Sequence, residues 1–520
     1  MVVSVEAQAS AAGVRMLEAG GNAVDATVAT AYALAVTHPS AGNLGGGGFL
    51  LIARPGQPAV AIDFRERAPQ QLTVAHFEAM LADGARGPAA SAVPGSVAGL
   101  NLALRDFGRL PLHEVLQPAI ELARRGHRVG AREADTLRWS WKELRRNPAA
   151  WRNFSGTDGP VQEGDWLVRT DLARTLERIA EEGDAGFYRG TTGRAIVAAM
   201  RHGGLISARD LRSYRAQRSE PIELGYRGYE VSTAPSSGGV IVAQLLLSLE
   251  RFGAFRLLPG SPDELHLFVE LARRAQADRR FGATRPVATN ESGSLALAER
   301  LERFAQLDFA PFDPWHATPS SQLAHGALSG ERESEHTTQL SVVDREGNAV
   351  SCTTTLSASF GARYVVPGTG IVMNNSLAGF GIGAANQPRG GRRIQSSMAP
   401  TLVRHAGQVV AVLGSPGGDT IPSTVVQVLR HLIDHSMTID AAIEAPRIHH
   451  GFFPDEVRLE RGRTPDPSVL DELQARGHHL NLRPTPMGAA NDILVVEGVA
   501  YGHADSREGG LALPAPPAPR

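Results

Sequence analysis

Cysteine occurs once in the 520 residues, at Cys352, and lysine once, at Lys142. A single cysteine excludes an intrachain disulfide and a four-thiolate zinc site, and leaves the chain compatible with either redox compartment. Cys352 lies in Val350-Ser351-Cys352-Thr353-Thr354-Thr355, whose alternation reads as a strand, so it is expected to be a small core residue rather than a nucleophile. Any Schiff-base or pyridoxal chemistry would fall to Lys142 alone, and Trp141-Lys142-Glu143-Leu144-Arg145-Arg146 reads as a helix surface. Long apolar runs are also missing: the stretch from Val24 to Val36 contains Asp25 and is too short to span a bilayer. The opening Met1-Val2-Val3-Ser4-Val5-Glu6 has neither the basic start nor the apolar run of a secretory signal. As written, the chain reads as cytoplasmic; a start lying further upstream would make it periplasmic or secreted. No basic tract is present and the formal net charge is −2, which argues against a general electrostatic grip on nucleic acid. What remains is the composition of a globular enzyme, 42% hydrophobic and 20% charged, able to bury a large core.

Periodicity divides the chain in two. Small and apolar residues at helical spacing predict helices over Ala9 to Leu17 and Ala23 to Val36, separated by Gly20-Gly21. Leu50 to Ala53 and Val60 to Phe64 read as strands joined by a turn at Pro55-Gly56. From about Leu72 to Arg332 the pattern predicts mainly helix. After Thr337 it turns to strands at Gln339–Asp344, Ala349–Leu356, Gly370–Met373, Thr401–Arg404, Val409–Leu413 and Asp492–Glu497, with helices at Ser423–His435 and Asp440–Ala445. Strands backed by helices on two sides suit a four-layer α/β/β/α sandwich. Pro514-Ala515-Pro516-Pro517-Ala518-Pro519 reads as a disordered tail.

The segment Glu335-His336-Thr337-Thr338-Gln339-Leu340-Ser341-Val342-Val343-Asp344 carries the chemistry. A threonine hydroxyl is a poor nucleophile unless a base lies beside it, and a free α-amino group on the same residue can serve. That amine exists only if the His336–Thr337 bond is cut. In the precursor the Thr337 hydroxyl would attack the His336 carbonyl, shift the acyl group from nitrogen to oxygen, and let water cleave the ester. On these residues alone Thr337 could equally be one more β-branched residue at the head of a strand.

Motifs along the chain resemble those of the γ-glutamyltranspeptidases. They are Thr337-Thr338-Gln339-Leu340-Ser341-Val342-Val343-Asp344, His38-Pro39-Ser40-Ala41-Gly42-Asn43-Leu44-Gly45-Gly46-Gly47-Gly48-Phe49, Asp63-Phe64-Arg65-Glu66, Ser396-Ser397-Met398-Ala399-Pro400-Thr401, Gly414-Ser415-Pro416-Gly417-Gly418 and Ala445-Pro446-Arg447-Ile448-His449-His450, in the family's order. The resemblance implies an N-terminal-nucleophile hydrolase sandwich cut into a large chain, 1–336, and a small chain, 337–520, interleaved in one core as a heterodimer. It implies Thr337 as nucleophile, Thr355 as the threonine supporting its hydroxyl, and Gly417 and Gly418 as the oxyanion pair. It also implies that Arg65, Ser396 and Ser397 hold the α-carboxylate of a γ-glutamyl group; a guanidinium fork suits a carboxylate, although Arg65 could instead pair with Asp63 or Glu66. No cofactor is required. Many relatives are exported, and the opening resembles the start of their mature domain.

Other readings are weaker. His449 and His450 are adjacent on a segment read as irregular, with no third metal ligand evident. Gly45-Gly46-Gly47-Gly48 lacks the Lys and Ser/Thr of a phosphate loop and reads instead as room for close backbone packing.

Two departures bear on substrate. Ser357 stands where the family has Asn, and Asn374-Asn375-Ser376-Leu377-Ala378-Gly379-Phe380 stands where it has Asn-Asn-Gln-Met-Asp-Asp-Phe. Ser376 thus replaces the Gln, and Gly379 the second Asp, that bind the substrate's amine. An ammonium deprived of its buried carboxylate loses roughly 2–5 kcal/mol. Glycine-rich Gly381 to Arg393 could also leave the pocket more open. Three readings stand: a γ-glutamyltransferase or glutathione hydrolase; an acylase of the same mechanism acting on glutaryl-type or other small amides; and an uncut, inactive binding protein.

Overall fold

The computed structural model describes residues 1–280, 301, 304, 312–323, 336–381 and 386–515. Most of the expected tail, Glu335, and residues 382–385 of the glycine-rich segment lie outside the described residues. Two antiparallel sheets form the centre. The first has seven strands in the spatial order Leu511–Leu513, Val2–Ser4, His336–Val343, Ala349–Ser357, Gly47–Ala53, Val60–Asp63 and Gln217–Ser219. The second has six, Val499–Ala504, Asn491–Val496, Gln408–Leu413, Thr401–His405, Tyr229–Thr233 and Ile222–Tyr226. Segments from both sides of the His336–Thr337 bond therefore contribute strands to each sheet.

Alternation along the strands builds the layers. Leu50 and Ile52 face outward from the first sheet, where they join Leu340, Val342 and Cys352 in a cluster with the helices Ala7–Glu18, Ala23–Thr37, Ser96–Phe107 and Leu112–Arg125. Their neighbours Leu51 and Ala53 face inward and pack with Leu402, Val412 and Ile493 of the second sheet. The far face of that sheet, through Val231, Val403 and Leu413, meets the helices Ser237–Arg251, Pro262–Arg280 and Ile421–Ile433. The result is the expected α/β/β/α sandwich. The helix Ala23–Thr37 is buried along its whole length, and a reciprocal cap starts it: the Asn22 side chain accepts from Val24 and Asp25 N–H while Asp25 accepts from Asn22 N–H at 2.7 Å. Burial pushes the Cys352 thiol up to about 12, as suits an inert core residue, and Lys142 is exposed on the helix Ala131–Leu144.

Some expectations need correction. The region read as mainly helical contains the strand Gln217–Ser219 and a hairpin of Ile222–Tyr226 with Tyr229–Thr233. Gly225 breaks its apolar alternation, and the tight turn at Arg227 and Gly228, both at positive φ, is a mirror-image hairpin turn without the usual Asn-Gly or Asp-Gly signature. Gly370–Met373 forms no strand: Val372 and Met373 make only isolated bridges to Val365 and Gly45, because Gly370 at φ +68° bends the chain. His449 and His450 lie on a regular strand, Ile448–His450, and address different partners: His449 meets Ser423 at 2.8 Å and His450 meets Asp455 at 3.1 Å. No group of three metal-binding side chains occurs among the described residues. No helix among them is long and apolar enough to cross a membrane.

Candidate active site

The strand His336–Val343 runs between Val2–Ser4 and Ala349–Ser357, with Thr337 opposite Thr355 and His336 opposite Ser357. One extra residue, Leu356, bulges the partner strand between those pairs and leaves Ser357 at φ +79°. The bulge turns the Ser357 N–H toward Thr355 Oγ1, to which it donates at 2.8 Å. Thr337 Oγ1 donates to Thr355 Oγ1 at 3.3 Å, and Thr355 Oγ1 donates to the carbonyl of His336 at 2.8 Å. One hydroxyl thus uses its single proton and both acceptor positions, and that proton rests on the carbonyl of the bond before Thr337. Thr337 and Thr355 are buried, at 6% and 3% exposure. Burial, aided by Arg132 and His38, holds the His336 imidazole down to about 4, so it is neutral at pH 7. Thr355→Ala removes the hydroxyl that donates to the His336 carbonyl and is expected to slow conversion to two chains by about 10²–10³-fold, the usual loss for one oxyanion donor; timed gels of freshly made protein measure it.

Glycines bring neighbouring backbones against this pair. A Cβ on Gly46 would lie 2.0 Å from Thr355 O and one on Gly48 2.3 Å from Thr353 O, so the glycine run serves close packing as expected. Asn43 orients the run: its Oδ1 accepts from Gly46 N–H at 2.9 Å and its Nδ2 donates to Thr354 Oγ1 at 2.9 Å.

The second group of site residues is assembled by backbone pairing of 64–68 with 392–395. Ala68 N–H donates to Arg392 O at 2.8 Å and Ile394 N–H to Glu66 O at 3.4 Å. Arg65 therefore lies beside the Ser396-Ser397 segment, with Nη2 donating to Gln395 O at 3.5 Å. Its Nη1 donates to Glu66 Oε2 at 2.5 Å, while Nε is buried with no partner among the described residues. Ser376 Oγ donates to the other oxygen of Glu66 at 2.7 Å. The pairing of Arg65 with Glu66 is thus real, and it orients the guanidinium. Ser396 Oγ accepts from Met398 N–H at 3.1 Å, and Ser397 Oγ accepts from Arg279.

The Gly414–Gly418 turn packs on the same strand two residues beyond Thr337: a Cβ on Gly414 would fall 2.3 Å from the Gln339 amide. Gly417 and Gly418 have φ +126° and +60°, conformations that favour glycine. Under the turn Gly414 N–H donates to Asp492 Oδ1 at 2.9 Å, and Asp492 Oδ2 is buried with no partner among the described residues. Burial pushes this carboxyl well above its ordinary value of 3.8. The folded protein then holds this proton where the unfolded chain has lost it, so the stability contribution is whole below about pH 3.8 and falls as the pH rises toward the folded pKa. Asp492→Asn is expected to melt higher than wild type at pH 8 and much the same at pH 4, which paired thermal melts measure.

A family model described as gamma-glutamyltranspeptidase matches residues 9–515. The chain belongs to the γ-glutamyltranspeptidase family. It is 40% identical over 541 residues to the glutathione hydrolase proenzyme of Escherichia coli, across 98% of this chain and 90% of that one. It is 36% identical over 539 residues to the Acylase ACY 1 proenzyme of Pseudomonas sp. (strain SE83), across 98% and 94% of the two. Among solved structures, cephalosporin acylase from Bacillus halodurans superposes with a TM-score of 0.84 at 26% identity, covering 98% of this chain and 94% of that chain.

Within this γ-glutamyltranspeptidase fold, the residues singled out in the sequence fall into three neighbouring groups: His336, Thr337, Thr355 and Ser357; Arg65, Ser376, Ser396 and Ser397; and Gly417 with Gly418. Sequence reasoning missed Glu66 as the link between Arg65 and Ser376, and missed Arg279 altogether. The only signal for Glu66 was its place in Asp63-Phe64-Arg65-Glu66, where it reads as a competitor for Arg65 rather than its support.

Proposed function

We propose that this chain is an autoprocessing γ-glutamyltransferase of the glutathione hydrolase type, with Thr337 as its nucleophile. The observation that carries this reading is Thr337 near the head of the strand His336–Val343, its hydroxyl bonded to Thr355, which in turn donates to the His336 carbonyl. In the precursor, Thr337 Oγ1 attacks the His336 carbonyl carbon, Thr355 steadies the developing oxyanion, and the peptide nitrogen leaves as the α-amine of Thr337. Water then hydrolyses the ester, leaving fragments of residues 1–336 and 337–520. These stay together because Val2–Ser4 and Gly47–Ala53 flank the two strands of the small chain that bear Thr337 and Thr355. In turnover the freed amine takes the Thr337 proton as the hydroxyl attacks a γ-glutamyl carbonyl. The N–H groups of Gly417 and Gly418 receive the oxyanion, the amine product leaves, and water or an amino acid takes the acyl group. Arg65, Ser396 and Ser397 meet the acyl carboxylate, with Ser357 and Ser376 on the adjoining walls.

A second reading, an acylase for amides with a distal carboxylate and no required amine, is favoured by one observation. Gly379 leaves the amine side without its acid, and the nearby Glu66 is already matched by Arg65 and Ser376. Turnover of γ-glutamyl and glutaryl anilides by the same preparation separates the two. A γ-glutamyl preference upholds the first reading; equal or faster glutaryl turnover replaces it with the second.

A further inference from the structure

We infer that the cleft among the helices Ser96–Phe107, Asp184–Tyr188 and Ala208–Ser213 binds a small polyanion with two or more phosphate or carboxylate groups, and that its occupancy weakens carboxylate binding at Arg65. Only the effect on Arg65 rests on the reading above. The cleft has a volume of about 920 Å³, in the range of small-molecule sites, and Leu104, Leu110, Leu211, Tyr188 and Tyr214 supply part of its wall. A second cleft of about 580 Å³ shares Tyr188, Arg189, Leu211 and Arg212 with it. Arginine dominates the charged lining of both. Arg105 is matched by Asp106 at 3.1 Å and Arg109 by Glu346 at 2.5 Å. Arg189, Arg194, Arg201, Arg212 and Arg215 pair with no carboxylate among the described residues; Arg194 donates only to Thr191 Oγ1 at 3.3 Å, and Arg215 to the carbonyls of Arg212 and Tyr214 at 2.8 and 2.6 Å. The acids on the wall are Glu182 and Asp184, and Asp184 already accepts from Asn101 Nδ2 at 2.8 Å. Positive charge is therefore in excess, carried by planar forks that suit phosphate and carboxylate oxygens.

The helix Gly190–Ala199 adds a second attraction for anions. No side chain caps its first turn, and Gly190 and Gly193 line the second cleft, so free N–H groups and the positive end of the helix dipole lie beside the same arginines. The opposite side of the wall reaches Arg65. Tyr214 Oη donates to Arg65 O at 2.9 Å, Arg393 Nη1 donates to that carbonyl at 2.6 Å, and Arg393 Nη2 donates to Arg215 O at 2.7 Å. Just beyond Arg215 the chain enters the strand Gln217–Ser219, where Gln217 pairs with Asp63, two residues before Arg65. Negative charge bound beside Tyr214 thus acts on the backbone that carries the Arg65 guanidinium, and it opposes a second carboxylate there as like charges do.

Titration calorimetry of the purified protein in about 0.15 M salt, with inorganic tripolyphosphate and with citrate as separate probes, tests the site. Saturable binding of either supports it, and the tighter probe tells phosphate from carboxylate. Arg189→Gln/Arg212→Gln is expected to weaken binding by at least about tenfold. Arg145→Gln/Arg152→Gln removes two exposed arginines that line neither cleft and should leave binding unchanged. In wild type a saturating probe should raise KM for a γ-glutamyl anilide about fivefold with little change in kcat, and that rise should vanish in Arg189→Gln/Arg212→Gln. No saturable binding, equal weakening by the two pairs of substitutions, or an anilide KM unmoved by saturating probe overturns the inference. A KM rise that persists in Arg189→Gln/Arg212→Gln also overturns it, because the probe then competes at Arg65 itself. Wild-type protein that binds the probe through these arginines yet turns over no γ-glutamyl substrate upholds the site and defeats the functional reading together with the effect on Arg65; active wild type without such binding defeats only this inference.

Discussion

Replacing Thr337 by alanine is expected to abolish maturation and turnover together. In the proposed mechanism the same oxygen serves both steps: in the precursor it attacks the carbonyl of His336, and after cleavage it takes the acyl group from substrate. Alanine removes the oxygen and leaves Thr355 Oγ1, now lacking its bond from Thr337, with the His336 carbonyl and Ser357 N–H it already engages. Thr355 Oγ1, though bonded to that carbonyl oxygen, has no α-amine freed beside it by the cut, so activity should fall by at least about 10⁴-fold, as when a nucleophile is deleted elsewhere. The fold should survive, because the strand and its partners are held by backbone pairing and by apolar residues further along, such as Leu340 and Val342. Thr337→Ser keeps the oxygen and should still mature, more slowly, since it loses the methyl group that restricts its rotamer. Intact mass and anilide turnover of the two variants decide the matter: an alanine variant that is cut, or that turns over substrate, places the nucleophile elsewhere.

Arg65→Leu is expected to have the second largest effect, for two reasons that can be separated. Glu66 is fully buried and its carboxylate takes one charge-assisted bond from Arg65 at 2.5 Å and a hydroxyl bond from Ser376 at 2.7 Å. Removing the guanidinium strands that charge, which costs about 3–5 kcal/mol of stability. It also removes the planar donor proposed to face the acyl carboxylate, so kcat/KM for a γ-glutamyl anilide should drop by about 10²–10³-fold, the worth of a charged hydrogen-bonded pair. Arg65→Leu/Glu66→Gln neutralises the stranded charge while leaving Ser376 an acceptor. Urea unfolding should show most of the stability restored in the double variant, while kinetics show no recovery. Recovery of turnover alongside stability would reduce Arg65 to a structural partner of Glu66.

The reasons some of this was legible in the sequence, and some was not, are physical. Thr337, Thr355, Arg65 and the Gly417-Gly418 pair stand in short motifs where local backbone geometry and chemistry are set by neighbours in the chain, and the structure brings these motifs to one strand head and its surroundings. The strands Leu50 to Ala53 and Thr401 to Arg404 were legible because one face of each is buried against helices and the other against the opposing sheet. The hairpin of Ile222–Tyr226 and Tyr229–Thr233 was not, since an Arg-Gly turn and Gly225 interrupt the pattern that marks a strand. Contacts between distant segments were hidden altogether. Glu66 meets Ser376, 310 residues later in the chain, and Arg279 meets Ser397, 118 residues later; nothing in the local sequence of either member points to the other. The missing acid at Gly379 was plain from the motif. That both oxygens of Glu66 are engaged by Arg65 and Ser376 became evident only in the structure.

The most direct test of the central claim is N-terminal sequencing and intact mass of purified wild-type protein, before and after a brief reaction with a γ-glutamyl anilide quenched in acid. The account predicts two chains of 336 and 184 residues, the shorter beginning at Thr337 and becoming heavier by one γ-glutamyl group attached to that residue. A single active chain of 520 residues, or an acyl group on any residue other than Thr337, would contradict it.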